Sequence, residues 1–377
     1  LAITGTRADF GLMRSTYALI ARDPRLELGV LITGMHLDPA HGNTADEVRA
    51  TGWRVVAEVP VDTRTRTAMS MAQGIGTMLQ GMASVMAREA PDLVLVVGDR
   101  GEMLAAAIAA FHLGVPCVHI HGGERSGTVD DSVRHAISKL SSWHLVATAQ
   151  SRDRLLRMGE WPERVHVVGA PGLDGLVAMG GMPLEKAWPQ ALQGPPPQAF
   201  ALVAYHPVVQ QAAEAAAHTL ALSKALCAFG LPLVWLAPNS DAGSADVEAV
   251  LAREASCWPV PSCRVTHLAR PQFVALMRWA TVMVGNSSAG IIEAASFGTS
   301  VVNVGDRQRL RERNPNVIDT PPDTESILAA LRKAQAVPGS ARADLVNCYG
   351  DGQAGLRIVE QLASMPLHGL TDKTHAH

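Results

Sequence analysis

The sequence predicts an α/β chain of two Rossmann-like domains, each a doubly wound parallel sheet. Three observations lead there. The 377 residues exceed one ordinary α/β domain and suit two of roughly 150–200 residues each. Short β-branched runs alternate with longer amphipathic stretches, the pattern of βα units. Between residues 180 and 198 a Gly- and Pro-rich stretch interrupts that alternation, which then restarts.

In the first half the predicted strands are Leu1–Thr4, Leu26–Thr33, Arg54–Glu58, Leu93–Val97, Cys117–Ile120, His144–Ala147 and Val165–Val168. Helices are expected over Met13–Arg22, Met69–Arg88, Glu102–His112 and Asp131–Leu140. The run Leu93–Val97 is apolar at every position, as a central strand covered on both faces should be. The second half gives strands Phe200–Tyr205, Leu233–Leu236, Arg264–Thr266, Thr281–Val284 and Ser300–Val304. Helices are expected there over Gln210–Phe229, Ala245–Glu254, Pro271–Trp279, Gly290–Ser296 and Thr324–Ala336. A last helix is expected over Gln353–Met365. The boundaries drawn are residues 1–180 and 195–350, with 180–198 as the link and 367–377 as a tail without periodicity, expected to be disordered.

Composition narrows the class. Hydrophobic residues make up 47% and charged residues 18%, enough for two cores. A net charge of -3 argues against nucleic-acid or membrane-surface binding, which needs a basic excess. The five cysteines are scattered and form no CxxC pair, so reduced thiols in a cytoplasmic protein are expected. No apolar run reaches the ~18 residues of a membrane span, and no signal-peptide pattern opens the sequence.

In doubly wound sheets ligands bind outside the carboxyl ends of the strands. Polar clusters fall at those ends. Thr4-Gly-Thr-Arg-Ala-Asp-Phe-Gly11 follows the first strand and places Arg7 at a helix start, either as a phosphate ligand or as a solvated arginine on a plain turn. The G-x-G-x-x-G dinucleotide fingerprint is absent, which disfavours an oxidoreductase. Gly98-Asp-Arg-Gly-Glu102 ends the most apolar strand. Asp99 there is either a helix cap or a positioned carboxylate beside Arg100.

The richest cluster runs from His119 to His135, with three histidines, Glu124, Asp130, Asp131, Arg125 and Arg134 within seventeen residues. Packing alone rarely concentrates so many titratable groups, whereas acid–base chemistry requires them. His119 and His121 alternate and are expected on one face of a strand. No standard zinc spacing is present, so no metal is expected. His206 follows the first strand of the second half, and Asn239 the next. Gly285-Asn-Ser-Ser-Ala-Gly-Ile-Ile-Glu293 opens a helix with hydroxyls and free N–H groups, suited to a diphosphate, and Glu293 suits ribose hydroxyls.

The strings TGTRADFG, VGDRGE, HIHGGERSGTVDDSVRHAISKLS, YHP, PNSDAGS, GNSSAGIIEAASFGT, VGDRQ and YGDG resemble, in the same order, the hydrolysing UDP-N-acetylglucosamine 2-epimerases. The similarity spans Arg7 to Asp351. It implies two Rossmann-like domains facing a cleft (the glycosyltransferase-B type), with the helix over 353–366 returning to the first domain. It also implies a UDP-sugar substrate, no cofactor, and a homodimer or homotetramer. The reaction implied is loss of the C2 proton and UDP to give a glycal, then addition of water. N-acetylmannosamine would be the product from UDP-N-acetylglucosamine, on the route to sialic acid; a 2,4-diacetamido-trideoxy sugar is the alternative substrate. Arg7, Arg100, Ser287, Ser288, Glu293 and Arg307 fall at the nucleotide. Asp99, Asp130, Arg134 and His206 fall at the reacting sugar. Where many relatives read His-x-Glu-Gly-Gly-Glu, this chain reads His119-Ile-His121-Gly-Gly-Glu124, so an imidazole stands for a carboxylate. His121, Glu124 or a different sugar ring must account for it. Non-hydrolysing 2-epimerases share the architecture but lack the Gly-Gly-Glu to Arg-His block. A glycosyltransferase fits less well because no acceptor-site signature is present, and a catalytically silent sugar-nucleotide sensor because the acid–base cluster and the phosphate turn are both retained.

Overall fold

The computed structural model describes residues 1–39, 42–63, 67–127, 130–192, 194–238, 243–266, 268–337, 345–374 and 376. The chain divides into two compact units: Leu1–Asp174 with Tyr349–His377, and Gly175–Cys348.

Among the described residues, the first unit holds seven strands: β1 (Ala2–Thr4), β2 (Gly29–Thr33), β3 (Arg54–Val59), β4 (Val94–Val97), β5 (Cys117–Ile120), β6 (Trp143–Val146) and β7 (Val165–Val167). They lie parallel in the order β3-β2-β1-β4-β5-β6-β7. Every residue of β4 and β5 is buried, because helices cover both faces of a parallel sheet. Each fully buried Val or Leu there contributes about 1.5–3 kcal/mol. Ile358, Val359 and Leu362 of the helix Ala354–Ser364 join this same core. Asp174 accepts the N–H groups of Ala354 (2.9 Å) and Gly355 (2.6 Å), tying down the start of that helix.

The second unit repeats the pattern with β8 (Ala201–Ala204), β9 (Leu233–Leu236), β10 (Cys263–Val265), β11 (Val282–Gly285), β12 (Ser300–Val304) and β13 (Val317–Thr320). Their order is β10-β9-β8-β11-β12-β13, again all parallel. Strand order reverses between β1 and β4 in one unit and between β8 and β11 in the other. Loops leaving those strands diverge to opposite faces, which opens a crevice at the strand ends.

Two expectations are corrected and one strand is added. The stretch 180–198 is no free link: Trp188 is buried and packs edge-to-face on Phe200, with ring centroids 5.2 Å apart. Gly and Pro leave only the short helix Leu184–Ala187 among the described residues of this stretch but do not prevent packing. The division falls instead at Asp174/Gly175. The tail from 367 is not disordered in its described part: Leu370 is buried, and Arg164 donates to the carbonyls of Gly369 (3.2 Å) and Leu370 (3.4 Å). Side-chain-to-backbone bonds order it, and these leave no hydrophobic period. The strand β13 was not expected. It is a short edge strand pairing with β12, and its Val-Ile-Asp-Thr run is too brief for an alternation to stand out.

Candidate functional site

In the first unit the loop after β1 is set by Asp9. Its carboxylate accepts from Thr4 Oγ1 (2.5 Å), Thr6 Oγ1 (2.8 Å), Thr6 N (2.8 Å) and Gly5 N (3.2 Å), closing a capping box on the helix Arg7–Ile20. Burial raises its carboxyl to about 6 against those hydrogen bonds. Arg7 stands exposed at the first helical position, with its guanidinium 3.2 Å from Glu47. After β4, Arg100 donates to the buried Glu102 at 3.0 Å.

Asp99 does not cap the helix Gly101–His112. The N-cap is Arg100, which makes no side-chain cap. The Asp99 carboxylate instead pairs with Nη2 of Arg134, a guanidinium buried on the helix Asp130–Leu140. Arg134 also donates from Nη1 to the carbonyl of His121 (2.9 Å) and lies 4.0 Å from Glu124 Oε2. Glu124 Oε1 is 2.5 Å from His121 Nδ1. One buried cation thus joins the strand-end carboxylate to an imidazole–carboxylate pair.

The expectation that His119 and His121 share a strand face is corrected. β5 ends at Ile120, and His121 adopts a left-handed backbone with φ 63°. His119 is fully buried and bridges Gly98 O (2.8 Å) and Ser138 Oγ (3.0 Å), and burial drives its pKa well below the ordinary range. It is a neutral structural link between β4, β5 and the helix 130–140. The turn that follows needs glycine: a side chain at Gly123 (φ 73°) would strike the Ser151 carbonyl. Asp131 closes the loop by accepting Ser126 N (2.8 Å), Ser126 Oγ (3.0 Å) and Gly127 N (3.0 Å). Despite partial burial, those bonds hold its carboxyl below the usual value. Asp130 opens the helix, exposed.

In the second unit the two strands at the order reversal are bridged by Asn286, a residue the motif reading passed over. Its Oδ1 accepts from His206 N and its Nδ2 donates to His206 O, both at 2.8 Å. Its carbonyl accepts from Arg307 Nη1 (3.1 Å) and Gln308 Nε2 (3.0 Å). Gly285 (φ 132°) permits this approach, since a Cβ there would collide with the Ala204 carbonyl. Burial, with Arg307 nearby, pushes the His206 imidazole down to about 4, so it stands neutral. Ser287 caps the short helix Ser288–Ile292 by accepting from Ala289 N at 3.4 Å. Glu293 is buried in an ion pair with Arg270, 2.8 Å away. Burial raises its carboxyl and Arg270 opposes that. Arg270 carries no signal in the sequence, because it simply opens an ordinary helix, Arg270–Trp279. Asn239 lies outside the described residues.

The structure therefore gathers Asp99, His121, Glu124 and Arg134 in one unit, and His206, Ser287 and Arg307 around Asn286 in the other. Among the described residues no three His, Cys, Asp or Glu side chains are grouped to hold a metal ion. No helix among them is long and apolar enough to cross a membrane.

Two parallel sheets of this strand order, one in each unit, are those of the glycosyltransferase-B type of fold. The family model described as UDP-N-acetylglucosamine 2-epimerase matches residues 18–363. The chain belongs to that family. It is 45% identical over 377 residues to the UDP-N,N'-diacetylbacillosamine 2-epimerase (hydrolyzing) of Legionella pneumophila, covering 100% of this chain and 98% of that one. It is 36% identical over 375 residues to a UDP-N-acetylglucosamine 2-epimerase of Neisseria meningitidis, covering 97% and 95%. The fold is shared with the Methanocaldococcus jannaschii UDP-GlcNAc 2-epimerase solved with UDP-GlcNAc and UDP. There the TM-score is 0.77 at 17% identity, over 96% of this chain and 98% of that one.

Proposed function

We propose that this enzyme is a hydrolysing 2-epimerase of a UDP-linked 2-acetamido sugar. The observation that carries the chemistry is buried Arg134 holding Asp99 beside the His121–Glu124 pair. In this reading Ser287, Ser288 and Arg307 hold the diphosphate and Glu293 the ribose hydroxyls, with Arg7 and Arg100 as further cations at the nucleotide. A group on the first unit takes the C2 proton. The C1–O bond to UDP breaks, its electron pair leaves with the diphosphate, and a C1=C2 bond forms. Water then adds its oxygen at C1, and a proton enters C2 from the opposite face. Glu124 accepts from His121 Nδ1, so Nε2 is left as a base, the arrangement that equips an imidazole for proton transfer. Asp99 is the second acid–base group, and Asp130 the third carboxylate at the sugar. Fixed cations absorb the charge growing on the leaving diphosphate.

For the sugar, we favour UDP-N,N'-diacetylbacillosamine over UDP-N-acetylglucosamine. The 45% identical relative bears the first name and the 36% identical relative the second. Incubation with each UDP-sugar, followed by NMR of the products, tests both points. The reading expects free 2-epimerised sugar plus UDP, released faster from the diacetamido substrate. Faster turnover of UDP-N-acetylglucosamine reverses the sugar preference. Product still joined to UDP overturns the hydrolytic assignment. Calorimetry with Glu293→Ala is the check on the nucleotide site: UDP should bind more weakly by roughly 1.5–3 kcal/mol, as for a hydrogen bond to a charged group.

A further inference from the structure

Four titratable side chains that the proposed chemistry does not use are packed together behind the helix Asp130–Leu140. Glu160 is buried, with Oε1 2.7 Å from Lys139 Nζ and Oε2 2.9 Å from His144 Nε2 and 2.8 Å from Lys373 Nζ. Lys373 belongs to the segment after the last helix. Its ammonium also donates to Ser138 O (2.9 Å) and Ser141 O (2.6 Å), carbonyls at the end of the helix that have no i+4 partner within it. A cation there meets the negative end of the helix dipole. The segment is fastened on both sides of Lys373: Arg164 holds the Gly369 and Leu370 carbonyls, Leu370 is buried in the core, and Trp161 Nε1 donates to Thr374 O at 3.0 Å.

The same helix carries Arg134 on its second turn, and its Ser138 hydroxyl meets His119 at 3.0 Å. A largely buried cation held by one carboxylate and two carbonyls at the helix end has few other places to go, since leaving it unpaired there is costly. We infer that Lys373 is a positioning residue: residues 366–374 form a strap that locks the end of helix 130–140 and so fixes Arg134, and through it Asp99. This rests on the reading of Asp99 and Arg134 as part of the reacting site.

The test is Lys373→Met in the full chain, with Lys373→Arg as the conservative variant. Turnover and amide hydrogen exchange are followed together. Lys373→Met should lower kcat on the order of tenfold, as small misplacements of reacting groups do, with KM within about twofold. Exchange should quicken across 130–140 and stay unchanged over the helix Arg7–Ile20. Lys373→Arg should recover most of both. Unchanged exchange over 130–140 overturns the strap, as does unit-wide loosening, which would mark a merely structural role. Asp99→Asn measured alongside separates the two ideas. Full turnover in that variant defeats the reading of Asp99, while the exchange data still judge Lys373.

Discussion

Asn286 clasps His206 through two reciprocal backbone bonds of 2.8 Å, so a single amide side chain joins the loops leaving β8 and β11. It is almost fully buried, and its own carbonyl holds Arg307 and Gln308. The geometry of the proposed phosphate turn therefore depends on a residue that need not touch phosphate.

Asn286→Ala should remove the two part-buried bonds its side chain makes to the His206 backbone, at about 0.5–1.5 kcal/mol each. Urea unfolding should report that loss, and calorimetry should show weaker UDP binding. Unaltered UDP affinity in a folded variant would separate this bridge from the nucleotide site.

Stability should fall as the pH drops from 6.5 towards 4. Burial holds His206 and His36 at about 4 and pushes His119 and His144 down from the ordinary value of 6.5. The unfolded chain then binds protons before the folded one, so acid favours unfolding across that window. Asp9, raised to about 6, acts in the opposite sense between 6 and 3.8, as do the raised carboxyls of Asp174 and Glu293, but among the described residues these are three groups against six, since His135 and His166 are lowered too. Unfolding free energies measured at fixed ionic strength across this range check the sign. A flat or rising profile towards pH 4 would contradict it.

Asp99→Asn should lower kcat by ~10²–10⁴-fold, the range for losing a general acid or base, with UDP affinity unchanged. Since Asn retains the shape and can still accept from Arg134, a large loss points to the charge or the proton. Turnover near that of the parent enzyme would return Asp99 to a structural partner of Arg134.

His121 sits at φ 63°, a backbone that asparagine adopts more readily than alanine. His121→Asn should therefore keep the fold while losing on the order of 10²-fold in kcat. Glu124→Gln keeps an acceptor for Nδ1 but removes the carboxylate beside the ring, and should lose a comparable amount. Melting temperatures close to the parent's, with full activity in both, would leave the pair as a device for holding the turn.

How legible was this in the sequence? The strands were legible because a parallel sheet covered on both faces must read as an apolar run, as Leu93–Val97 does. Asp99, Glu124 and Arg134 stood out because they lie after such runs, in stretches too rich in charge for packing alone. The geometry of His121 was not legible. Alternation along a strand placed it beside His119, but β5 stops one residue earlier and the backbone turns left-handed. Asn286 stood in plain view within Gly285-Asn-Ser-Ser yet served its neighbours' backbone, and no residue type announces that role. Lys373 lay in a segment without periodicity. Its order comes from a buried ion pair and two carbonyls far away in sequence, which no local pattern encodes.

The central claim is an elimination followed by hydration, and isotopes read both steps at once. The enzyme is given the UDP-sugar in D₂O, and separately in water enriched in ¹⁸O, and the products are analysed by NMR and mass spectrometry. The account predicts free 2-epimerised sugar carrying deuterium at C2 and ¹⁸O at C1, with unlabelled UDP. Free sugar that keeps its original C2 hydrogen, or product still attached to UDP, would contradict it.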